Sequence, residues 1–414
     1  MPIFLDILSP LSKNERKTLG VTLKKLRDST VRHLAELKYD TWPSNPFISD
    51  LAHRRSSYEC ENQVFDFKMN GNPHMTYSPM DRFNDALLAE PKDHVPLFPM
   101  IAGWAAVNFS DFPLAKLAVD PKGIVDVQIS AKESVGYDAL WAYADPLYIP
   151  EAFGCRVRFL DTGPLADPIS LTITSLRDVD GFPSPDPRGA CRLPLVLETV
   201  KRLSDYGGGD IPVLGLFEGP FTTTCRILEP ELIMRMAYKN RDALEALLDK
   251  VTAFLLEFAQ ALMENGANAI FLPEPTASAS MISPSMFRQF VLPRLEKLTQ
   301  NLTLPCILHI CGDTSPTLKA MGESGAKVLS LDQCMDLAGA RTAVKDAVLG
   351  GNVDPINALL MGSKEQVINE TLNCLRRAGT KRFVLMSGCG VPPNTPLQNV
   401  RTMIETAKDY GLGP

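Results

Sequence analysis

Residues 305–332 read PCILHICGDTSPTLKAMGESGAKVLSLD, and their order decides the fold. Residues 305–311 form a short apolar run bounded by proline and glycine, and residues 327–332 form a second. Runs of this length between such breakers are strand-like. The same rhythm extends in both directions, through 95–101, 139–144, 211–217 and 267–272 upstream and 347–352 and 382–388 downstream. Between most of these runs lie helices with clear punctuation. Asp120-Pro121, Ser283-Pro284 and Thr395-Pro396 are cap-plus-proline starts, and Gly266, Gly379 and Gly411 stand where helices end. Residues 241–265 place Leu244, Leu247, Leu248, Val251, Leu255, Phe258 and Leu262 on one helical face. Strands alternating with helices imply a parallel sheet, and eight in succession favour a (β/α)8 TIM barrel over an open doubly wound sheet. The proline- and glycine-rich stretch 146–191 is expected to be an irregular βα loop over the barrel mouth.

Residues 1–78 lack this rhythm and are expected to be an N-terminal helix-plus-hairpin extension on a barrel spanning 79–414. Ser12 and Glu15 form a capping-box pattern ahead of a helix to about Leu37. Eight Lys/Arg face three Asp/Glu between Lys13 and Lys38, which suits a solvated face or a docking or homodimer surface. Asn70-Gly71 after Val64-Phe65-Asp66-Phe67-Lys68-Met69 signals a hairpin.

Composition narrows the function. The 414 residues are 45% hydrophobic and 22% charged, ordinary for a globular chain. A net charge of -6 without a long basic tract argues against general nucleic-acid binding. The start, MPIFLDILSPL, carries Asp6 and no basic residue, so it is a poor signal peptide. The apolar stretch 95–109 contains Pro96, Pro99 and Gly103 and falls short of a membrane span. A cytoplasmic setting is expected, with the nine cysteines buried, catalytic or metal-bound rather than paired.

A barrel carries its functional residues at the C-terminal ends of its strands. In Leu308-His309-Ile310-Cys311-Gly312 the period-two alternation turns His309 and Cys311 to one side. An imidazole and a thiolate there suit zinc, and Cys389 in Ser387-Gly388-Cys389-Gly390 is the expected third ligand; three ligands with one open position is the catalytic pattern. Cys334 is its rival, Cys306 has the opposite parity, and all these cysteines also fit a core. Glu274 reads as a fourth ligand, an acid or a solvated loop carboxylate. Asp332 reads as a group that orients His309 or binds substrate, or as a helix cap. Glu218 precedes a turn that could project Phe221 over the cavity. Trp104 and Tyr143 could stack on a flat substrate or fill the barrel, and Gly350-Gly351-Asn352, like Gly388-Cys389-Gly390, lies in a loop where many barrels hold phosphate, although no Walker or GxGxxG pattern is present.

The motifs also resemble a known family. ILHICGDTSPTLKAMGESGAKVLSLDQ (307–333), LGGNVDP (349–355), SGCGVPPNTPLQNVRTMI (387–404), GPFTTTCRIL (219–228) and PTASASMISPSMFRQFVLPRLEKL (275–298) are similar to the uroporphyrinogen decarboxylase superfamily, and more closely to its corrinoid-dependent methyltransferase branch. That resemblance implies zinc on His309, Cys311 and Cys389. It also implies methyl transfer between a corrinoid and a small thiol or a methoxylated or methylated compound. The chain has no Asp-x-His-x-x-Gly cobalamin-ligand motif, so the corrinoid is expected on a separate carrier protein. A tetrapyrrole decarboxylase is the alternative, weakened because 95–109 holds no arginine; a non-catalytic binding protein is another.

Overall fold

The computed structural model describes residues 77–413 except 111, 143, 144, 146, 160–165, 171, 172, 174, 180 and 183. The expected helix from Ser12, the hairpin at Asn70-Gly71 and Tyr143 therefore lie outside the described residues.

The core is a parallel sheet. β1 (Leu140–Ala142) is followed by a two-stranded hairpin, β2 (Arg156–Phe159) with β3 (Ala166–Ser170). Then come β4 (Val213–Leu216), β5 (Ala269–Pro273), β6 (Cys306–Ile310), β7 (Val328–Leu331), β8 (Val348–Val353) and β9 (Phe383–Ser387). The sheet order is β1-β4-β5-β6-β7-β8-β9, every pair parallel. The remaining apolar run closes the ring between β9 and β1. Leu97 bridges Leu385 in parallel, Phe98 N donates to Leu385 O (2.9 Å) and Leu385 N donates to Pro96 O (2.8 Å). On the other side Asp138 N donates to Leu97 O (2.9 Å), while Leu97 N donates to the Asp138 carboxylate (3.0 Å). Pro96 and Pro99 have no N–H to give, so this stave is a single bridge rather than a full strand. The fold is the expected TIM barrel.

Helices cover the outside. Arg241–Glu264 buries Leu244, Leu247, Leu248, Val251, Leu255, Phe258 and Leu262, as its spacing requires. Ser78 caps Pro79–Leu88 in a reciprocal box with Asp81. Thr395 does not act as a cap: Leu397–Tyr410 starts after Pro396, and the buried Thr395 hydroxyl has no hydrogen-bond partner. No described helix is long and apolar enough to cross a membrane.

The connection after β1 differs from expectation. It is not an irregular loop but contains the helix Tyr148–Ala152, the β2–β3 hairpin and a 3-10 turn at Leu176–Asp178. Buried Arg192 ties its ends together, bonding the Asp145 carboxylate and Glu151 Oε2 (2.6 Å). Ile173 pairs in parallel with Leu228, joining the segment to the neighbouring βα unit.

Candidate metal centre

The barrel interior is set by strand parity. A Cβ on Gly215 would meet Leu262 of an outer helix, so Gly215 faces outward and its neighbours Leu214 and Leu216 face in. Carried across the register, the same alternation turns Trp141, Phe271, His309, Ser330 and Met386 inward. Phe271 stacks on the His309 ring (centroids 5.9 Å, 20° between planes), and Trp141 meets Phe271 edge-on at 5.1 Å.

His309, 3% exposed, is held at both ring nitrogens. Nδ1 lies 3.1 Å from Ser330 Oγ on the neighbouring strand, where His309 and Ser330 are directly paired. Nε2 lies 3.2 Å from Cys311 Sγ. Cys311 Sγ is in turn 3.6 Å from Cys389 Sγ, and one ligand atom from each of the three residues falls within 4.8 Å of the others. Gly388 makes this approach possible. A Cβ there would stand 2.4 Å from the backbone nitrogen of Gln333, so any larger residue pushes the chain leading to Cys389 away from the loop after β7. Ser387 Oγ accepts from Met100 N (3.0 Å), and Gly388 N donates to Val353 O (2.8 Å), fixing that chain on both sides.

The two sulfurs share a proton unequally. The hydrogen bond from Cys311 holds the Cys389 sulfur well below the ordinary thiol range, with His309 acting in the same direction. That same bond, together with burial, pushes Cys311 up. A thiolate and an imidazole at this spacing form a soft donor set for a metal ion. Cys334 is exposed and stands outside the cluster, and Cys306 is buried with its thiol pushed up to about 12 by burial.

The other expected residues have partners of their own. Asp332 does not orient His309, because Ser330 occupies that position. Its carboxylate instead accepts from Gly312 N (2.8 Å) and Cys334 N (3.1 Å), bracing the backbone directly after Cys311. Nor does it cap the next helix, which Asp336 does. Asn352 is not open to a ligand: its Nδ2 donates to Asp332 O (2.9 Å) and Met335 O (2.8 Å), and its Oδ1 accepts from Cys374 Sγ (3.5 Å).

Glu274 is no solvated carboxylate. It is fully buried, and its two oxygens accept from Phe221 N (3.0 Å) and Thr222 N (2.8 Å), the free donors at the start of helix Pro220–Ile227. Burial raises its pKa from 4.5 to about 7, against the pull of those bonds. Gly219 permits the contact, since a Cβ there would lie 2.4 Å from the Glu274 carboxyl. Glu218 is buried and gripped by Arg226 through two bonds (3.0 and 2.8 Å); burial raises its pKa and Arg226 opposes this. Phe221 is buried at that same helix start. Trp104 is core, its indole donating to Thr395 O (2.8 Å) and packing edge-on to Phe109.

Ser330, Arg192 and Arg226 are the residues that sequence reading missed. For Ser330 a signal existed: it shares the parity of Asp332 in the strand beside His309. The arginines sit in helix-proximal segments whose spatial neighbours no spacing reveals.

Comparison with known proteins agrees with this geometry. The family model for uroporphyrinogen decarboxylase (URO-D) matches residues 78–410. Methylcobamide:CoM methyltransferase MtbA of Methanosarcina mazei is 29% identical over 339 residues, covering 81% of this chain and 98% of its own. Uroporphyrinogen decarboxylase of Geobacter metallireducens is 28% identical over 341 residues, 78% of this chain and 97% of its own. A solved methyltransferase from Methanosarcina mazei superposes with a TM-score of 0.75 at 27% identity, over 81% of this chain and 99% of that one. With its barrel and the family match both running from the start of the described residues nearly to the end, the chain belongs to the uroporphyrinogen decarboxylase family.

Proposed function

We propose that this protein is a corrinoid-dependent methyltransferase in which His309, Cys311 and Cys389 hold zinc, moving a methyl group between a corrinoid on a separate carrier protein and a small thiol or a methoxylated or methylated compound. The observation that carries this reading is the cluster itself. A tetrahedral ion with metal–sulfur bonds of about 2.3 Å sets its sulfurs about 3.8 Å apart. The Cys311 and Cys389 sulfurs stand at 3.6 Å, with the imidazole nitrogen at 3.2 Å from Cys311. Relatives named for methylcobamide:CoM methyl transfer support the corrinoid part.

Zinc bound there would act as a Lewis acid, holding a thiol as thiolate or stabilising a departing heteroatom. The chain's own residues do the rest. Ser330 Oγ stands 3.1 Å from Nδ1, and with the Nδ1–H tautomer donating to it the Nε2 lone pair would be free for the ion. Cys389 enters already biased to thiolate. Asp332 fixes the turn after Cys311, and Glu274 holds helix Pro220–Ile227 against the end of β5. The test is metal analysis of purified protein followed by a cob(I)alamin absorbance assay with thiols and methoxy-aromatics. One zinc per chain and cobalt-linked methyl transfer are expected. A zinc-free chain that removes carboxyl groups from a porphyrinogen overturns the reading.

A further inference from the structure

Cys311 follows β6 and Cys389 follows β9, strands that are not neighbours in the sheet, so no ladder of hydrogen bonds fixes one sulfur against the other. The ends of β7 and β8 lie between them and reach both. The turn 332–335 is closed by Met335 N donating to Asp332 O (3.0 Å). It is tied to the chain after Cys311 twice: the Asp332 carboxylate accepts from Gly312 N (2.8 Å), and Met335 Sδ accepts from Thr314 N (3.3 Å). The chain before Cys389 lies against the same turn, where a Cβ on Gly388 would stand 2.4 Å from Gln333 N.

Asn352 clasps that turn. It is buried, and its Nδ2 donates to both Asp332 O (2.9 Å) and Met335 O (2.8 Å), the first and last carbonyls of the turn. Its Oδ1 accepts from Cys374 Sγ (3.5 Å) on the outer helix Lys364–Ala378. A primary amide supplies two N–H groups on one nitrogen with an acceptor beside them, which is what this position uses. The next residue, Val353, accepts from Gly388 N (2.8 Å). Two consecutive residues at the end of β8 therefore hold the turn behind Cys311 and the chain that enters Cys389.

We propose that Asn352 is a positioning residue for the metal centre: by clasping both ends of the 332–335 turn it sets the separation of the Cys311 and Cys389 sulfurs. It touches none of the three ligand side chains. The inference rests on the metal reading above and deepens it by naming what holds the two sulfurs at one spacing. Without the clasp the turn loses its attachment to β8, and the two cysteine-bearing segments move independently.

The experiment uses the full-length protein, stripped with a chelator and reloaded with cobalt(II), whose spectrum reports bound thiolates and coordination geometry. Asn352→Asp keeps the side-chain shape but turns an acceptor oxygen toward the two carbonyls. It should bind cobalt and zinc about ten-fold more weakly or worse, as loss of an outer-shell partner does, with thiolate-to-cobalt charge transfer falling from that of two sulfurs to that of one. If this variant fails to fold, Asn352→Ala, which brings in no opposing charge, carries the same test. Val367→Ala, in the buried face of the same outer helix, is the control. It should lower the urea midpoint by leaving a cavity, yet keep wild-type affinity and spectrum. A folded Asn352 variant with wild-type affinity and a two-sulfur spectrum overturns the positioning role. Equal loss of affinity in Val367→Ala at a matched urea midpoint also overturns it, since general destabilisation then accounts for the effect. A wild-type chain that binds neither metal overturns the metal reading and this inference with it.

Discussion

The sulfurs of Cys311 and Cys389 stand 3.6 Å apart although 78 residues separate them and β7 and β8 lie between their strands. The contact crosses the mouth of the barrel rather than following the sheet. An eight-stranded barrel is only wide enough for its inward side chains to fill it, so residues from non-adjacent strands meet at the rim.

Removing one sulfur should show which cysteines hold the ion. Cys389→Ala is expected to lose most of its zinc, and Cys334→Ala, altered at an exposed site, to keep it. Metal content per chain by emission spectrometry checks both. Zinc lost from the Cys334 variant and retained by the Cys389 variant would sink the ligand assignment.

Ser330→Ala should retain the fold and weaken metal binding about 10–100-fold, the usual effect of removing a hydrogen bond to a ligating imidazole. Competition with a chromophoric chelator measures the affinity. An affinity equal to wild type would mean that the 3.1 Å contact does not orient His309.

Gly388→Ala should both loosen the centre and destabilise the protein. A Cβ 2.4 Å from Gln333 N forces backbone movement, and overpacking of this kind costs about 1–3 kcal/mol. Urea midpoints and zinc affinity should fall together; a variant with unchanged zinc affinity would show that the approach of these two loops does not position Cys389.

Glu274 gives a pH signature. Its folded pKa, about 7, lies above the ordinary 4.5, so the native state keeps its proton where the unfolded state releases it. The stability it contributes is full below pH 4.5 and lost as pH rises to about 7, a change on the order of 3 kcal/mol. The stability difference between wild type and Glu274→Gln should therefore shift against wild type across that window, read from urea unfolding at several pH values. A flat difference, or one shifting toward wild type, would contradict the sign.

Much of this was legible in order along the chain. The eight apolar runs each contain a stave of the barrel, and the parity of His309 and Cys311 correctly turned both to one side. Legibility failed where partners come from distant segments. The sequence around Glu274 suits a fourth ligand, an acid or a loop carboxylate alike, because nothing near it shows that helix Pro220–Ile227 begins over its oxygens. Asp332 and Ser330 share a face, so orienting His309 is one of the tasks the sequence allows Asp332, and only the cross-strand register shows that Ser330 is the residue beside the ring. The amide of Asn352 is taken up by carbonyls in the loop after the preceding strand, which its own loop sequence does not show.

By itself, then, the sequence determined the alternation of strands and helices, the closed parallel barrel that follows, and the residue types at the strand ends. These are local matters of periodicity, capping and chirality, written within a few tens of residues. Only the tertiary structure decided that Cys389 rather than Cys334 completes the cluster, that the Asp332 and Glu274 carboxylates accept from backbone N–H groups, and that Trp141 has an unpaired indole N–H. Those outcomes depend on which buried polar groups find partners across the barrel, and satisfaction of a buried donor or acceptor is a property of the assembled interior.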